Sequence, residues 1–221
     1  MEDTEWQDEG FDTEQMLQSR LESTQNDDAE ETEPVDDIRS LYNQGLQEIE
    51  TLGLTDIGSL ASWSVSSFKP GCGMEALRED NPELYWQSDG LQPHHVDIHF
   101  SKRVAIERIS IFNDYLVDES YTPSKIVVCA GTGYQDLSEV ATISLNEPRG
   151  WSDIKLDGVR SDGVLKTFLV RLSIAVNHQN GKDTHLRAVK LYSPLKNDQN
   201  IAQELDIPFT SIAMLSESVV R

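Results

Sequence analysis

The chain has 221 residues, two cysteines and a formal charge of −21. That length accommodates one domain with an extension, or two small domains, and is enough to bury a substantial core. The acidity excludes a phosphate-backbone binder, which needs clustered Lys and Arg, and two Cys in a chain this long make no disulfide framework.

The charge is uneven. Residues 1–50 hold 17 Asp and Glu against Arg20 and Arg39, leaving 22 acids and 16 bases for the remainder. Residues 1–37 therefore read as an acidic, disordered extension, with Trp6, Phe11, Met16 and Leu17 as possible anchors. The chain contains no apolar run long enough to span a bilayer, no signal-peptide pattern and no N-x-S/T sequon, so neither a membrane nor a secretory route is expected. The expected setting is an intracellular, reducing compartment.

Between Asp36 and Leu54 the pattern becomes helical: Ile38, Leu41, Tyr42, Leu46 and Ile49 recur on one face, with Asp36 and Asp37 at the start. This predicts a helical lead-in over 38–57, weakened by Gly45 in its middle. The domain proper is set at 58–194, leaving 195–221 as a tail. Inside it, short alternating runs predict a strand near Trp63–Ser67, then HVDIHF (95–100), RVAIERISIF (103–112), KIVVCA (125–130), 137–145, WSDIKL (151–156), KTFLVRLSIAV (166–176) and AVKLYS (188–193). The longest places Phe168, Val170, Leu172, Ile174 and Val176 on one face. Period-2 runs at this spacing, without comparable helices, indicate an all-β sandwich or barrel.

If successive strands alternate in direction, the connections 83–93, 113–124 and 175–187 emerge at the same end. The last, AVNHQNGKDTHLR, carries far more hydrogen-bonding capacity than a turn requires. Its His178, Asp183 and His185 suggest a metal, but they lack the fourth ligand and spacing of a closed zinc site. Calcium would need several oxygens beyond Asp183, Asn180 and loop carbonyls, and stays open. Ser120 or Thr184 with His178 and Asp183 could be assembled as a nucleophile, base and orienting group, yet no strained nucleophile turn or oxyanion hole is marked. In GTGY (131–134) the third Gly and the following helix of a dinucleotide site are missing. In YWQSDG, Ser-Asp-Gly reads as a turn, with Tyr85 and Trp86 packed inward. The remaining reading is a binding surface for a polar ligand, either a sugar or an extended peptide.

The segments WSVSSFKPGCGMEALREDNPELYWQSDGLQPHHVDIHF (63–100), DESYTPSKI (118–126), EPRGW (147–151) and NHQNGKDTHLRAVKLYSP (177–194) resemble the DOC-domain family of core subunits of the anaphase-promoting complex, or cyclosome, a ubiquitin ligase. The resemblance covers about Gly58 to Pro194. It implies a galactose-binding-like jelly-roll β-sandwich that performs no catalysis itself; no cofactor or metal is expected. It further implies a substrate-recognition and processivity subunit that, beside a WD40 co-activator, holds the D-box of substrates destined for cell-cycle-dependent degradation, in nucleus and cytoplasm. By this resemblance the ligand-facing positions are Ser120, Tyr121, Asn177, His178, Gln179, Asn180, Asp183 and His185, with Gln87, Ser88 and Asp89 as further candidates. The family ends in an Ile-Arg tail that docks in a tetratricopeptide-repeat subunit; Val220 and Arg221 occupy those positions. Other subunits of the complex are then the expected partners. A carbohydrate-binding module and a purely architectural subunit are the alternatives.

Overall fold

A computed structural model describes residues 34–194. Residues 1–33 of the expected disordered extension and the docking tail at Val220 and Arg221 lie outside the described residues, whereas residues 34–37, also expected to be disordered, form the first turn of a helix.

Helix α1 (Pro34–Glu50) opens this region. Its apolar positions fall where helical periodicity places them: Ile38, Tyr42 and Ile49 are buried, and Leu41 and Leu46 are partly so. Gly45 does not break it. Its place is taken by the indole of Trp151, whose Nε1 donates to the Tyr42 carbonyl at 3.0 Å, and a Cβ on Gly45 would overlap that ring. Glycine in a helix interior costs about 1 kcal/mol relative to Ala, but here alanine has no room. Gly45→Ala is therefore expected to lower stability by about 1–3 kcal/mol through overpacking, rather than raise it; a rise in the thermal midpoint would contradict this packing.

The strands follow as β1 (Leu54–Asp56), β2 (Ala61–Val65), β3 (Trp86–Gln87), β4 (His94–Ile106) and β5 (Arg108–Asp114). After the one-turn helix α2 (Tyr115–Asp118) come β6 (Pro123–Gly131), β7 (Ser138–Ser144), β8 (Arg149–Lys155), β9 (Leu165–Asn177), β10 (His185–Leu186) and β11 (Ala188–Pro194). They form a four-stranded sheet, β1-β11-β5-β8, and a five-stranded sheet, β2-β4-β9-β6-β7, with β10-β3 as a separate two-stranded ladder. Every pairing is antiparallel. Val96, Ile98, Phe100, Val170, Leu172 and Ile174 of one sheet meet Ile109, Ile111, Val189 and Leu191 of the other in a single core. This is the β-sandwich anticipated from the alternation. The outer face of the four-stranded sheet is covered by α1, where Tyr42 packs on Phe112 and Trp151 at ring separations of 5.1 and 5.0 Å.

Three features depart from the periodicity. The first sheet starts at Leu54, which pairs with Pro194, ahead of the boundary set at Gly58. β4 continues through Ser101 and Lys102, where a break between strands was expected. The chain instead changes sheets at Glu107, whose N–H donates to the Tyr192 carbonyl and whose carbonyl accepts from the Leu156 N–H. Finally, Val170, Leu172 and Ile174 are fully buried, but Val176 is 46% exposed and Phe168 only half-buried. The register explains Val176: Ile126 faces Ile174 while Lys125 faces Val176, so Ala175 is an extra residue on β9. Such a bulge reverses the inward and outward phase of everything after it.

Candidate substrate-binding loop end

The bulge decides which side of β9 enters the site. Beyond it Asn177, not Val176, turns inward and is 3% exposed. Its Nδ2 donates to the Asp183 carbonyl at 2.7 Å, and its Oδ1 accepts from the Thr184 hydroxyl at 2.7 Å. One buried amide therefore ties the two feet of the 177–184 loop.

The other connections fasten to the same loop. From segment 83–93, the Ser88 hydroxyl accepts from the Thr184 N–H, and the Ser88 N–H donates to the Thr184 carbonyl. Gln92 Nε2 donates to the carbonyls of Gly181 and Lys182, and His94 Nε2 lies 2.7 Å from the latter. From segment 113–124, the Thr122 carbonyl accepts from the His178 N–H and ring Nδ1. His178 Nε2 then accepts from the Glu147 N–H, so the geometry assigns the Nδ1–H tautomer. The Gly181 backbone packs so closely on the Ser120 carbonyl that a Cβ could not be placed there. The three connections expected at one end do meet there, joined by the β7–β8 loop.

Beneath them lies a buried charge cluster. Arg187 grips Asp118 with two parallel bonds, Nε to Oδ2 at 2.7 Å and Nη2 to Oδ1 at 2.8 Å. Its Nη1 donates to the Pro82 carbonyl. His185 Nδ1 is 2.9 Å from Asp118 Oδ1. The imidazole is sandwiched between Tyr85 and Tyr121, with centroids at 4.2 and 4.3 Å. Burial alone would push the Asp118 carboxyl up, but the hydrogen bonds and charges of His185 and Arg187 outweigh it and hold the group below its ordinary value. The side chains of Arg187 and Asp118 are 4% and 3% exposed, so this is a fixed frame under the loops.

The sequence-derived positions therefore divide. Asn177 and His185 are buried and engaged in holding the loops together. Gln87 and Ser88 are buried as well, while Asp89 is exposed. Ser120, His178 and Asp183 are half-buried. Tyr121, 40% exposed, and the exposed Gln179 and Asn180 are presented outward. Gln179 and Asn180 both sit in the left-handed region, at φ of 52° and 58°. Glu119 and Glu147 share that conformation, so all four non-glycine residues with positive φ among the described residues belong to this end. Strained backbone of this kind persists only where its surroundings over-determine it, and it concentrates at functional sites.

Periodicity overlooked two groups. The pairing of Asp118 with Arg187 was not singled out, because an acid and a base far apart in sequence carry no local sign of pairing. The exposed apolar side chains Leu91, Leu116, Val117 and Val176 were also missed; the first three lie in connections, and the fourth is exposed only by the bulge. Among the described residues, no three His, Cys, Asp or Glu side chains converge as metal ligands.

Solved structures with the same architecture include the family 32 carbohydrate-binding module of Clostridium perfringens NanJ in complex with galactose. It is 12% identical, with a TM-score of 0.54 over 63% of this chain and 99% of that one. The paired family 32 modules of Clostridium perfringens ZmpB in complex with GalNAc are 15% identical, with a TM-score of 0.57 over 68% of this chain and 37% of theirs. At such identity the likeness shows the galactose-binding-like jelly-roll fold alone. Sequence relatives are far nearer. Anaphase-promoting complex subunit 10 of Schizosaccharomyces pombe is 44% identical over 77% of this chain and 90% of its own length. The human subunit 10 is 44% identical over 68% and 81%, and the Saccharomyces cerevisiae subunit DOC1 is 39% identical over 72% and 64%. The family model for anaphase-promoting complex, subunit 10, matches residues 23–218. A match over most of the chain, carrying every loop of the converged end, places this protein in the subunit 10 family of the anaphase-promoting complex.

Proposed function

We propose that the loop end is a degron-binding surface, through which the chain acts beside a WD40 co-activator as a non-catalytic D-box co-receptor and raises the processivity of ubiquitination. The observation that carries this reading is the division of the site. A rigid buried frame of Asp118, His185, Arg187 and Asn177 supports strained loops that display Tyr121, Gln179 and Asn180. Around them Leu91, Leu116, Val117 and Val176 stand out on the same connections and strand end, at 94%, 64%, 51% and 46% exposure. Amide donors and acceptors among isolated apolar side chains suit an extended peptide, whose backbone and alternate side chains they can meet.

Catalysis has little support. Asp118 orients His185 as an acid orients a general base, but both faces of the imidazole are covered by tyrosines and its Nε2 is buried without a hydrogen-bond partner. Docking of Val220 and Arg221 into a tetratricopeptide-repeat subunit, and residence in nucleus and cytoplasm, belong to the same proposal.

The test is Tyr121→Ala with Gln179→Ala, assembled into the complex with co-activator. Gln179 is exposed and Tyr121 is 40% exposed, but the Tyr121 ring also covers one face of His185, so the thermal midpoint of the variant is measured alongside and is expected to fall by no more than a few degrees. Ubiquitin chains per encounter should shorten as substrate dissociation accelerates by about tenfold, the equivalent of about 1.4 kcal/mol. Unchanged chain length overturns the reading in favour of an architectural role. Specific retention by a glycan array, lost in the same variant, would instead favour the carbohydrate-binding activity named for the structural neighbours.

A further inference from the structure

The 66–85 segment, between β2 and β3, forms a second surface, which shares only the Tyr85 ring with the frame under the loop end. Phe68, Ala76, Leu84 and Tyr85 line an open groove of about 330 Å³, with Cys72 in its wall. Phe68 and Leu84 are 57% and 39% exposed. The charged residues on this groove are Glu75, Glu79 and Glu83, with no base among its lining. Glu83 is paired with Arg39 on α1 at 2.6 Å. Glu75 and Glu79 form no ion pair among the described residues. A neighbouring cavity of about 420 Å³ shares these two glutamates and contains Lys190 and Arg78. Lys190 is already held by Asp56 at 3.3 Å and Asp80 at 2.8 Å, and Arg78, which lines that cavity beside both glutamates, forms an ion pair with neither among the described residues.

An apolar trough with uncompensated carboxylates favours an occupant combining apolar side chains with positive charge. Within residues 1–33 and 195–221 an aliphatic side chain adjoins a base only at Arg20–Leu21, Leu195–Lys196 and Val220–Arg221, and each of these stands in acidic surroundings. Residues 1–33 are strongly acidic, residues 195–221 contain four acids and two bases, and a second copy would bring a net charge of −21. Membership of the complex, in contrast, requires lasting contacts with other subunits, and these are built on apolar burial. We propose that the Phe68–Leu84–Tyr85 groove docks a segment of another subunit of the anaphase-promoting complex, in which an aliphatic or aromatic side chain is flanked by Lys or Arg. This assignment needs only membership of the complex and not degron binding at the loop end, although Tyr85 borders both.

Cys72 provides the readout. In a Cys129→Ser background, maleimide labelling of Cys72 is compared between the full chain alone and the chain in the assembled, substrate-free complex. Nine-tenths occupancy of the groove should slow labelling by about tenfold. A Glu75→Lys, Glu79→Lys variant with an unchanged thermal midpoint should incorporate less well, and cross-linking from Leu84→Cys should identify a covering segment that contains Lys or Arg. The proposal is overturned by equal labelling in the two states, by protection of the lone chain at high concentration, by protection only after substrate is added, or by a covering segment without basic residues. Normal incorporation of the charge-reversed variant would equally remove the electrostatic basis.

Discussion

Asp118→Ala is expected to cost about 3–5 kcal/mol, because it leaves the Arg187 guanidinium buried without its charge partner. For a domain of this size the thermal midpoint should fall by about 10 °C or more. The penalty comes from stranding the remaining charge, so Asp118→Leu with Arg187→Met should recover much of the loss, as the two charges are removed together. The pH dependence has a defined sign. Asp118 titrates below its ordinary value of 3.8 in the folded protein, so its stabilisation is fully present above that pH and is lost as pH falls through the folded value. Asp118→Asn should therefore flatten the acid limb of the stability curve below about pH 4. Its functional effect should follow from loosened loops, since Asp118 holds both His185 and, through Arg187, the Pro82 carbonyl. A near-normal midpoint for Asp118→Ala would show that water already satisfies Arg187.

Gly181→Ala should separate the loops while the sandwich persists. The backbone at Gly181 has φ −57° and ψ 141°, which alanine adopts without strain. The obstacle is the Ser120 carbonyl, a backbone atom that cannot move aside as a side chain would. Relief requires the 113–124 and 175–187 connections to part. The cost should approach the upper end of the roughly 1–3 kcal/mol of overpacking, with backbone NMR shifts confined to those two connections and to Gln92, which bonds the Gly181 carbonyl. Processivity should fall at least as far as in the Tyr121, Gln179 variant, because the whole displayed surface is misplaced. Unchanged processivity together with the expected shifts would mean that the ligand does not span both loops.

These two residues illustrate how much of the site was legible. NHQNGKDTHLR stood out by its density of polar groups, strand parity brought its connection to the same end as 113–124, and the family resemblance picked out DESYTPSK within the latter. The distinction between display and support did not show. Asn177 and Gln179 are both polar loop amides, yet one is buried against Asp183 and Thr184 while the other is turned outward by a left-handed backbone. Nothing in their local sequence differs enough to separate them.

The sequence by itself determined the class and the layout. Alternation in 95–112, 125–130 and 166–174 requires half-buried strands, since only a period of two puts those Val, Ile and Leu residues on one face. Helical spacing of Ile38, Tyr42 and Ile49 likewise calls for α1, and the motifs of the loops carried the family. Tertiary structure alone decided the rest. The extra residue at Ala175 reverses the phase of β9 because pairing with β6 shifts there, and that pairing is a property of two distant strands. Gly45 is accommodated because Trp151, more than a hundred residues later, fills the space its missing side chain leaves. Asp118 and Arg187 become partners only when β10, β11 and α2 converge, since a charge pair is stabilised by burial and geometry that no local stretch contains.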